Sequence, residues 1–350
     1  MEAKKLKEYI LDDIDRLYRV LNNYGFHDIK KLNGEIRCAL PEGTNPTGVM
    51  IKLNENMYTA MFELGFTGDI FGAIGEVEDK TFKRVMEEVH SLFGLSMKGS
   101  ANQVTVDPLK MLKQFASIDP YTSFEKENKK YGADILNKYI PEVPASVYEE
   151  GITPKVVRQF MLCYDTERDR VLFPHFDWEE TDKVVGIKGR TILTAEEIEM
   201  TGVPKYWNYI TGYRKMQNLY GFNFAKENLE ACKMLVLFEG EKSVLKQFSF
   251  SNGKGNSVAL GGHIISDKQV SFILKNTPAD CEIVLAFDKD VMTKEAEGEE
   301  FIISQAQRFR PFKQVSYIFD KFNLLGEKDS PIDCGLKKWN YLLKWRKQVN

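Results

Sequence analysis

Glu239 closes the apolar run MLVLF at 234–238, and Asp288 and Asp290, one lysine apart, close the run CEIVLAF at 281–287. Both runs are short, rich in β-branched residues and bounded by polar turns, which predicts strands buried in a parallel sheet. The three acids then stand at strand C-terminal ends, where open α/β sheets bind ligands. Carboxylates gathered there repel one another unless a hard cation neutralises them, and oxygen ligands with no nearby His or Cys point to Mg²⁺ or Mn²⁺. The chemistry such a site supports is metal-dependent phosphoryl transfer.

The elements that must position these acids follow from the periodicity. From residue 231 onward, strands at 234–238, 257–260, 281–287 and 314–319 alternate with helical stretches at 241–248, 266–276 and 295–308, the pattern of a parallel sheet wrapped by helices. Residues 140–230 carry alternating segments such as RVLFPHF (170–176) and KVVGIKGR (183–190) between acidic turns, which predicts a mixed α+β subdomain. Upstream, residues 4–24 read as one amphipathic helix, EIRCAL, GVMIKLN and MYTAMFEL as strands within 35–64, and Lys80–Leu92 as a helix. The expected architecture is an α/β and α+β multidomain chain: a small module over 1–95, connecting helices over 96–139, the mixed subdomain over 140–230 and the parallel sheet over 231–350.

Composition narrows the class. The 350 residues are 43% hydrophobic, enough for several cores, and no apolar stretch reaches the ~18 residues that span a bilayer. No signal segment follows Met1, so a cytoplasmic location is expected, with no membrane partner. The net charge of −3 confines any nucleic-acid contact to a local patch. The five cysteines (38, 163, 232, 281 and 334) lack metal-pair spacing, as do His27, His90, His175 and His263, and none of the histidines is assigned to catalysis. The run SNGKGNS at 251–257 does not fit a phosphate-binding loop and reads as a turn, with Lys254 a candidate for DNA contact.

Taken together, EGEKS (239–243), VALGG (258–262), DKD (288–290) and EKDSPID (327–333) resemble the Toprim domain shared by DnaG-type primases, topoisomerases and some nucleases. The resemblance covers about a third of the chain. It implies that Glu239, Asp288 and Asp290 hold the catalytic metal ions, with Asp329 or Asp333, which match a later acidic motif, as further metal ligands. Ser243 stands where many primases have Asp, and the sequence is similar to a phage-type variant. Upstream, RVLFP (170–174), GIKGR (186–190), PKYWN (204–208) and KMQNLYG (215–221) occur in the order seen in the polymerase core of DnaG-type primases. By that likeness Arg170, Lys188, Arg190, Lys205, Tyr206, Asn208 and Lys215 handle nucleotide or template. Their chemistry suits phosphates: Arg offers a fork, Lys a point charge, and Tyr206 and Trp207 are either base platforms or core aromatics.

Primases of this family carry a zinc ribbon of the form C-x2-H and C-x2-C, the second pair followed by Gly-x-x-Gly-Asp. The corresponding frame here is Cys38 and Pro41, then Met61 and Leu64, followed by GFTGD (65–69). Three of the four ligands are apolar or Pro, so no zinc is expected. A structural zinc contributes ~10–16 kcal/mol in isolated fingers. The expectation is that Met61, Leu64, Phe62 and Phe66 replace it with a small apolar core, each buried large side chain contributing roughly 1.5–3 kcal/mol.

The resemblance implies a DNA primase: single-stranded DNA and ribonucleoside triphosphates as substrates, Mg²⁺ or Mn²⁺ as cofactor, and a degenerate ribbon beside the Toprim core. The Lys/Arg/Trp-rich helix expected at 337–347 leaves no room for a helicase-binding domain, so a replicative helicase or other replisome protein would act in trans. Two rivals use the same residues. One is a Toprim nuclease or DNA-cleavage enzyme, although neither a tyrosine-bearing cleavage domain nor a Walker loop is recognised. The other is a catalytically idle protein that binds DNA or the replisome.

Overall fold

The computed structural model describes residues 3–41, 43, 45–95, 127–293 and 297–349. The chain divides into two compact units, residues 1–127 and 128–350. Most of the connecting stretch expected at 96–139 lies outside the described residues. Among the described residues no helix is long and apolar enough to cross a membrane.

The first unit wraps helices around a five-stranded antiparallel meander, β1 (His27–Leu32), β2 (Glu35–Ala39), β3 (Val49–Lys52), β4 (Tyr58–Met61) and β5 (Phe66–Asp69), paired in sequence order. The single helix expected over 4–24 is two, Ala3–Leu11 and Ile14–Asn23. Asp13 breaks it by capping the second helix, its carboxylate accepting from Asp15 N at 3.1 Å. Leu6, Ile10, Leu17, Val20 and Leu21 still join one core with the sheet. The later helix starts at Phe82 rather than Lys80, because Thr81 caps it, and a further helix, Ile70–Glu78, precedes it.

Across the sheet Cys38 pairs with Val49, Val49 with Met61 and Met61 with Phe66. Cys38, Val49 and Met61 are fully buried, and Leu64 and Phe66 pack against the same core. Phe62 departs from the expectation. Side chains alternate faces along a strand, and beside Met61 its half-buried ring lies outside this core with the Arg37 guanidinium 5.6 Å from its centroid. Burial pushes the Cys38 thiol up to about 12, so it stays protonated.

The second unit joins two sheets through one hydrophobic core. The antiparallel sheet contains β6 (Tyr131–Gly132), β7 (Cys163–Asp165), β8 (Arg170–Phe176), β9 (Lys183–Thr191) and β10 (Tyr206–Asn208), in the order β10-β9-β8-β7 with β6 also on β9. The glycines of GIKGR are packing positions: a Cβ at Gly186 would lie 2.7 Å from the Tyr213 ring, and one at Gly189 would lie 2.5 Å from that of Tyr209. The other sheet contains β11 (Met234–Phe238), β12 (Ser257–Ala259), β13 (Glu282–Ala286), β14 (Val315–Tyr317) and β15 (Lys347–Gln348), in the order β12-β11-β13-β14-β15. The first four strands are parallel and β15 is antiparallel to β14. Helices Glu241–Phe250, Asp267–Asn276 and Glu297–Gln307 run between the parallel strands. The helix expected at 337–347 spans Leu336–Lys344 and gives way to β15.

Candidate active site

Parallel pairing of β11 with β13 runs in register to Phe238 opposite Ala286, so Glu239 and Asp288 leave adjacent strands side by side. Glu239 Oε1 accepts a hydrogen bond from Asp288 N at 2.9 Å, and its Oε2 lies 3.7 Å from His263 Nδ1. Asp288 opens the short helix Lys289–Met292 without a side-chain cap bond, and its Oδ1 is buried with no hydrogen-bond partner. Burial, followed by the charges of Glu239, Asp290 and Asp333, pushes the Asp288 carboxyl up to about 8. The Ser330 hydroxyl opposes that rise but makes no hydrogen bond to Oδ1, and a buried carboxylate oxygen so placed, beside further acids, is a place a hard cation fits. Among the described residues no three His, Cys, Asp or Glu side chains form a preformed metal cage, so the acids are neighbours rather than a closed coordination shell. Asp290 is exposed on the helix that Asp288 begins.

The later acids hold a turn. Asp329 Oδ2 accepts from Gly326 N at 2.9 Å and its carbonyl accepts from Lys289 N at 2.9 Å, while Asp333 accepts from Ser330 N at 3.0 Å and pairs with Lys246. Asp329 is thereby tied to the backbone that frames Asp288, and Asp333 acts on Asp288 through its charge. The middle lysine of DKD is an internal strut: Lys289 Nζ donates to Asp320 Oδ2 at 2.8 Å. Burial raises the Asp320 carboxyl, but that bond and the N–H groups of Leu324 and Leu325 outweigh it and hold it below the usual range.

The register of β9 with β10 sets Lys188 opposite Asn208 and Arg190 opposite Tyr206, placing four of the expected residues on one face of the antiparallel sheet. Lys188 Nζ sits 4.5 Å from the Tyr206 ring centroid. Arg190 reaches Glu150 at 3.4 Å, and Glu150 also pairs with Lys242. Burial, then the neighbouring cations Arg190 and Lys328, hold the Lys205 ammonium below its usual value, with Asp288 pulling the other way. Lys205 is thus within electrostatic reach of the acid pair. Lys215 lies against Gly261, whose Cβ would meet its side chain at 3.1 Å. Arg170 differs from its expected role. It is buried, and its guanidinium donates to the carbonyls of Pro204 at 2.7 Å and of Gly189 and Lys205 at 3.3 Å, so it fixes the loop that carries Lys205.

Sequence reasoning missed Glu241. Its buried carboxylate accepts from Lys188 Nζ at 2.9 and 3.1 Å and lies 3.4 Å from His175 Nε2, joining the antiparallel sheet to the start of the helix after Glu239. Burial opposes the anion, but the Lys188 ammonium and His175 outweigh it and hold Glu241 far below the usual carboxylate range. His175, its own pKa lowered by burial, has Tyr213 Oη 2.8 Å from its Nδ1. The available signals were the second Glu of EGEKS and a His inside a strand that is apolar apart from Arg170 at its start.

No family model matches the chain. It is 24% identical over 310 residues to the SPbeta prophage-derived uncharacterized protein YorJ of Bacillus subtilis, covering 82% of this chain and 81% of that protein. It is 28% identical over 156 residues to a DNA primase of Clostridium acetobutylicum, covering 44% of this chain and 24% of the primase. A DNA primase of Campylobacter jejuni is 22% identical over 325 residues, covering 81% of this chain and 49% of the primase. Among solved structures, the zinc-binding and RNA polymerase domains of the Aquifex aeolicus primase match with a TM-score of 0.47 at 20% identity, covering 100% of this chain and 87% of that one. A DnaG primase catalytic domain bound to single-stranded DNA also matches with a TM-score of 0.47, at 16% identity, covering 62% of this chain and 77% of that one. In sequence the chain is similar to DNA primases, and it spans half or less of the two curated primases it matches.

Proposed function

We propose that this chain is a DNA primase, a template-dependent nucleotidyltransferase that makes short RNA primers on single-stranded DNA. The observation that carries the reading is the pairing of Glu239 with Asp288 at the ends of β11 and β13, with one Asp288 oxygen buried and unpartnered. The ordered upstream motifs and the similarity to curated primases support it.

Glu239, Asp288 and Asp290 would hold the divalent ions, with Asp333 near enough to add charge. Bound there, Mg²⁺ or Mn²⁺ would lower the pKa of the attacking 3′-hydroxyl and neutralise the departing pyrophosphate. The chain's own residues do the positioning. Lys205, its ammonium held below its usual value by burial and by Arg190, would serve as a cation for triphosphate oxygens. Arg190, Lys188, Tyr206 and Asn208 present a face to nucleotide or template, and Lys215 borders it beside Gly261. Arg170 acts indirectly, by holding the Pro204–Lys205 backbone. The first unit is proposed as a template-binding module that folds without zinc, and a replicative helicase as a partner in trans.

The test is incorporation of labelled ribonucleotides on mixed-sequence single-stranded DNA with Mg²⁺ or Mn²⁺, with and without added helicase. Asp288→Ala is expected to lower it about 10³-fold or more, equivalent to ~4 kcal/mol of barrier. Absence of products from the folded intact chain, or plasmid nicking in their place, would overturn the reading. Metal analysis of the same sample is expected to return no stoichiometric zinc.

A further inference from the structure

The helix Leu336–Lys344 buries one face and leaves the other bare. Trp339 and Leu342 are buried, and the Trp339 ring lies 5.5 Å from that of Phe238, the residue before Glu239. On the opposite side Tyr341 is 41% exposed and Trp345, four residues on, is 63% exposed, their ring centroids 6.4 Å apart. Phe322, from the loop after β14, is 61% exposed and continues the row 6.3 Å from Tyr341. Three large aromatic rings in an exposed row leave apolar surface in water, which a monomer does not need for folding.

Charge indicates what covers them. Residues 335–350 hold five Lys or Arg and no Asp or Glu, in a chain whose net charge is −3. Lys337 lies one turn before Tyr341, Lys344 packs 5.8 Å from the Trp345 ring centroid, and Lys321 adjoins Phe322. None of these three lysines forms an ion pair with a described residue. Aromatic faces interleaved with unpaired cations match a polyanion with exposed bases: bases stack on the rings while phosphates meet the lysines. A duplex offers the phosphates but keeps its bases stacked, and an apolar protein surface does not need the cations.

We infer that Phe322, Tyr341 and Trp345, with Lys321, Lys337 and Lys344, form a binding strip for single-stranded nucleic acid outside the acid site. The inference rests on the polymerase reading only in naming the bound strand as template. Because Trp339 seats the helix on Phe238, the strip is anchored directly beneath the end of β11.

The test is fluorescence anisotropy of the full chain with a labelled 20-nucleotide oligo-dT and with a duplex of equal length. The intact chain is expected to bind oligo-dT more tightly than duplex, with quenching of indole emission that Trp345→Phe reduces. Phe322→Ala/Tyr341→Ala/Trp345→Ala is expected to weaken oligo-dT binding at least tenfold with an unchanged melting temperature. Lys337→Glu, which removes no ring, is expected to weaken it and reduce the salt dependence by about one phosphate contact. Unchanged affinity in both variants, equal binding of duplex, or a dimer that the triple variant dissociates would overturn the inference. Asp288→Ala is expected to bind oligo-dT as the intact chain does. Strip-dependent binding without primer synthesis would therefore sink the polymerase reading alone, and synthesis with strip-independent binding would sink the strip alone.

Discussion

In the sheet of the first unit, Cys38, Val49 and Met61 stack across three strands as a fully buried row. At the ends of β11 and β13 in the second unit, Glu239 and Asp288 bring two carboxylates together and leave one oxygen unpartnered. By the resemblance read from the sequence, both places are expected at motifs that hold metal. The first is packed with apolar side chains, whose burial supplies folding energy. The other keeps an arrangement that opposes folding, since a buried unmet acceptor costs about 1–3 kcal/mol and clustered charge adds to it. A position that has no ligand to receive can be packed shut, whereas a position kept open at the expense of stability is one where a ligand is expected.

Experiments that split these two regions sharpen the contrast. The largest loss of stability is expected from Glu241→Gln, which strips Lys188 of its buried partner. Denaturant unfolding should show a loss of about 3–5 kcal/mol, and a negligible effect would mean that the pair is hydrated and does not join the two sheets. Met61→Ala should destabilise the first unit by about 2–5 kcal/mol through the cavity it leaves, with chelator making no difference to either protein. A chelator-sensitive melt of the intact first unit would break the comparison, because it would reveal a metal where apolar packing is claimed.

The third expectation concerns pH. With a folded pKa of about 8, Asp288 retains its proton where the unfolded chain has lost it near pH 4. The folded state binds more protons across that window, so this residue's contribution favours folding at low pH and is lost as pH rises from about 4 through 8. Mg²⁺ should reverse the trend at pH 8, raising stability by about 2.7 kcal/mol at a hundred times its Kd. Thermal melts from pH 5 to 8 with and without Mg²⁺, using Asp288→Asn as the reference, would show the slope vanish in the variant. A slope that persists there belongs to another group.

The parallel strands and their terminal acids were legible in the sequence because buried runs such as MLVLF end abruptly in charge. β1 was not, since HDIKKL is exposed along nearly all its length and has no apolar alternation. The helix Ile70–Glu78 was hidden by its glycines and an apolar content that reads equally well as strand. Residue roles were harder than elements. Arg170 looks like a phosphate ligand by type and motif, yet three carbonyls distant in sequence occupy its guanidinium. Glu241 and Lys289 gain their meaning from Lys188 and Asp320, which lie 53 and 31 residues away, and no local pattern encodes such pairs.

The parallel sheet is bordered on both sides by its own chain. β15 pairs along β14, pinned by Arg346 on Glu282 and Lys347 on Glu299, while Tyr220 exchanges backbone hydrogen bonds with Ala259 on β12 at the opposite border. Border strands with free N–H and C=O groups are templates for an additional strand, whether from a bound peptide or from an aggregating copy. Here β14 and Ala259 of β12 already have partners from the same chain, so the borders are the two-residue β15 and the rest of the three-residue β12, which offer little length for strand addition. Recognition of this sheet by a partner then falls mainly to side chains.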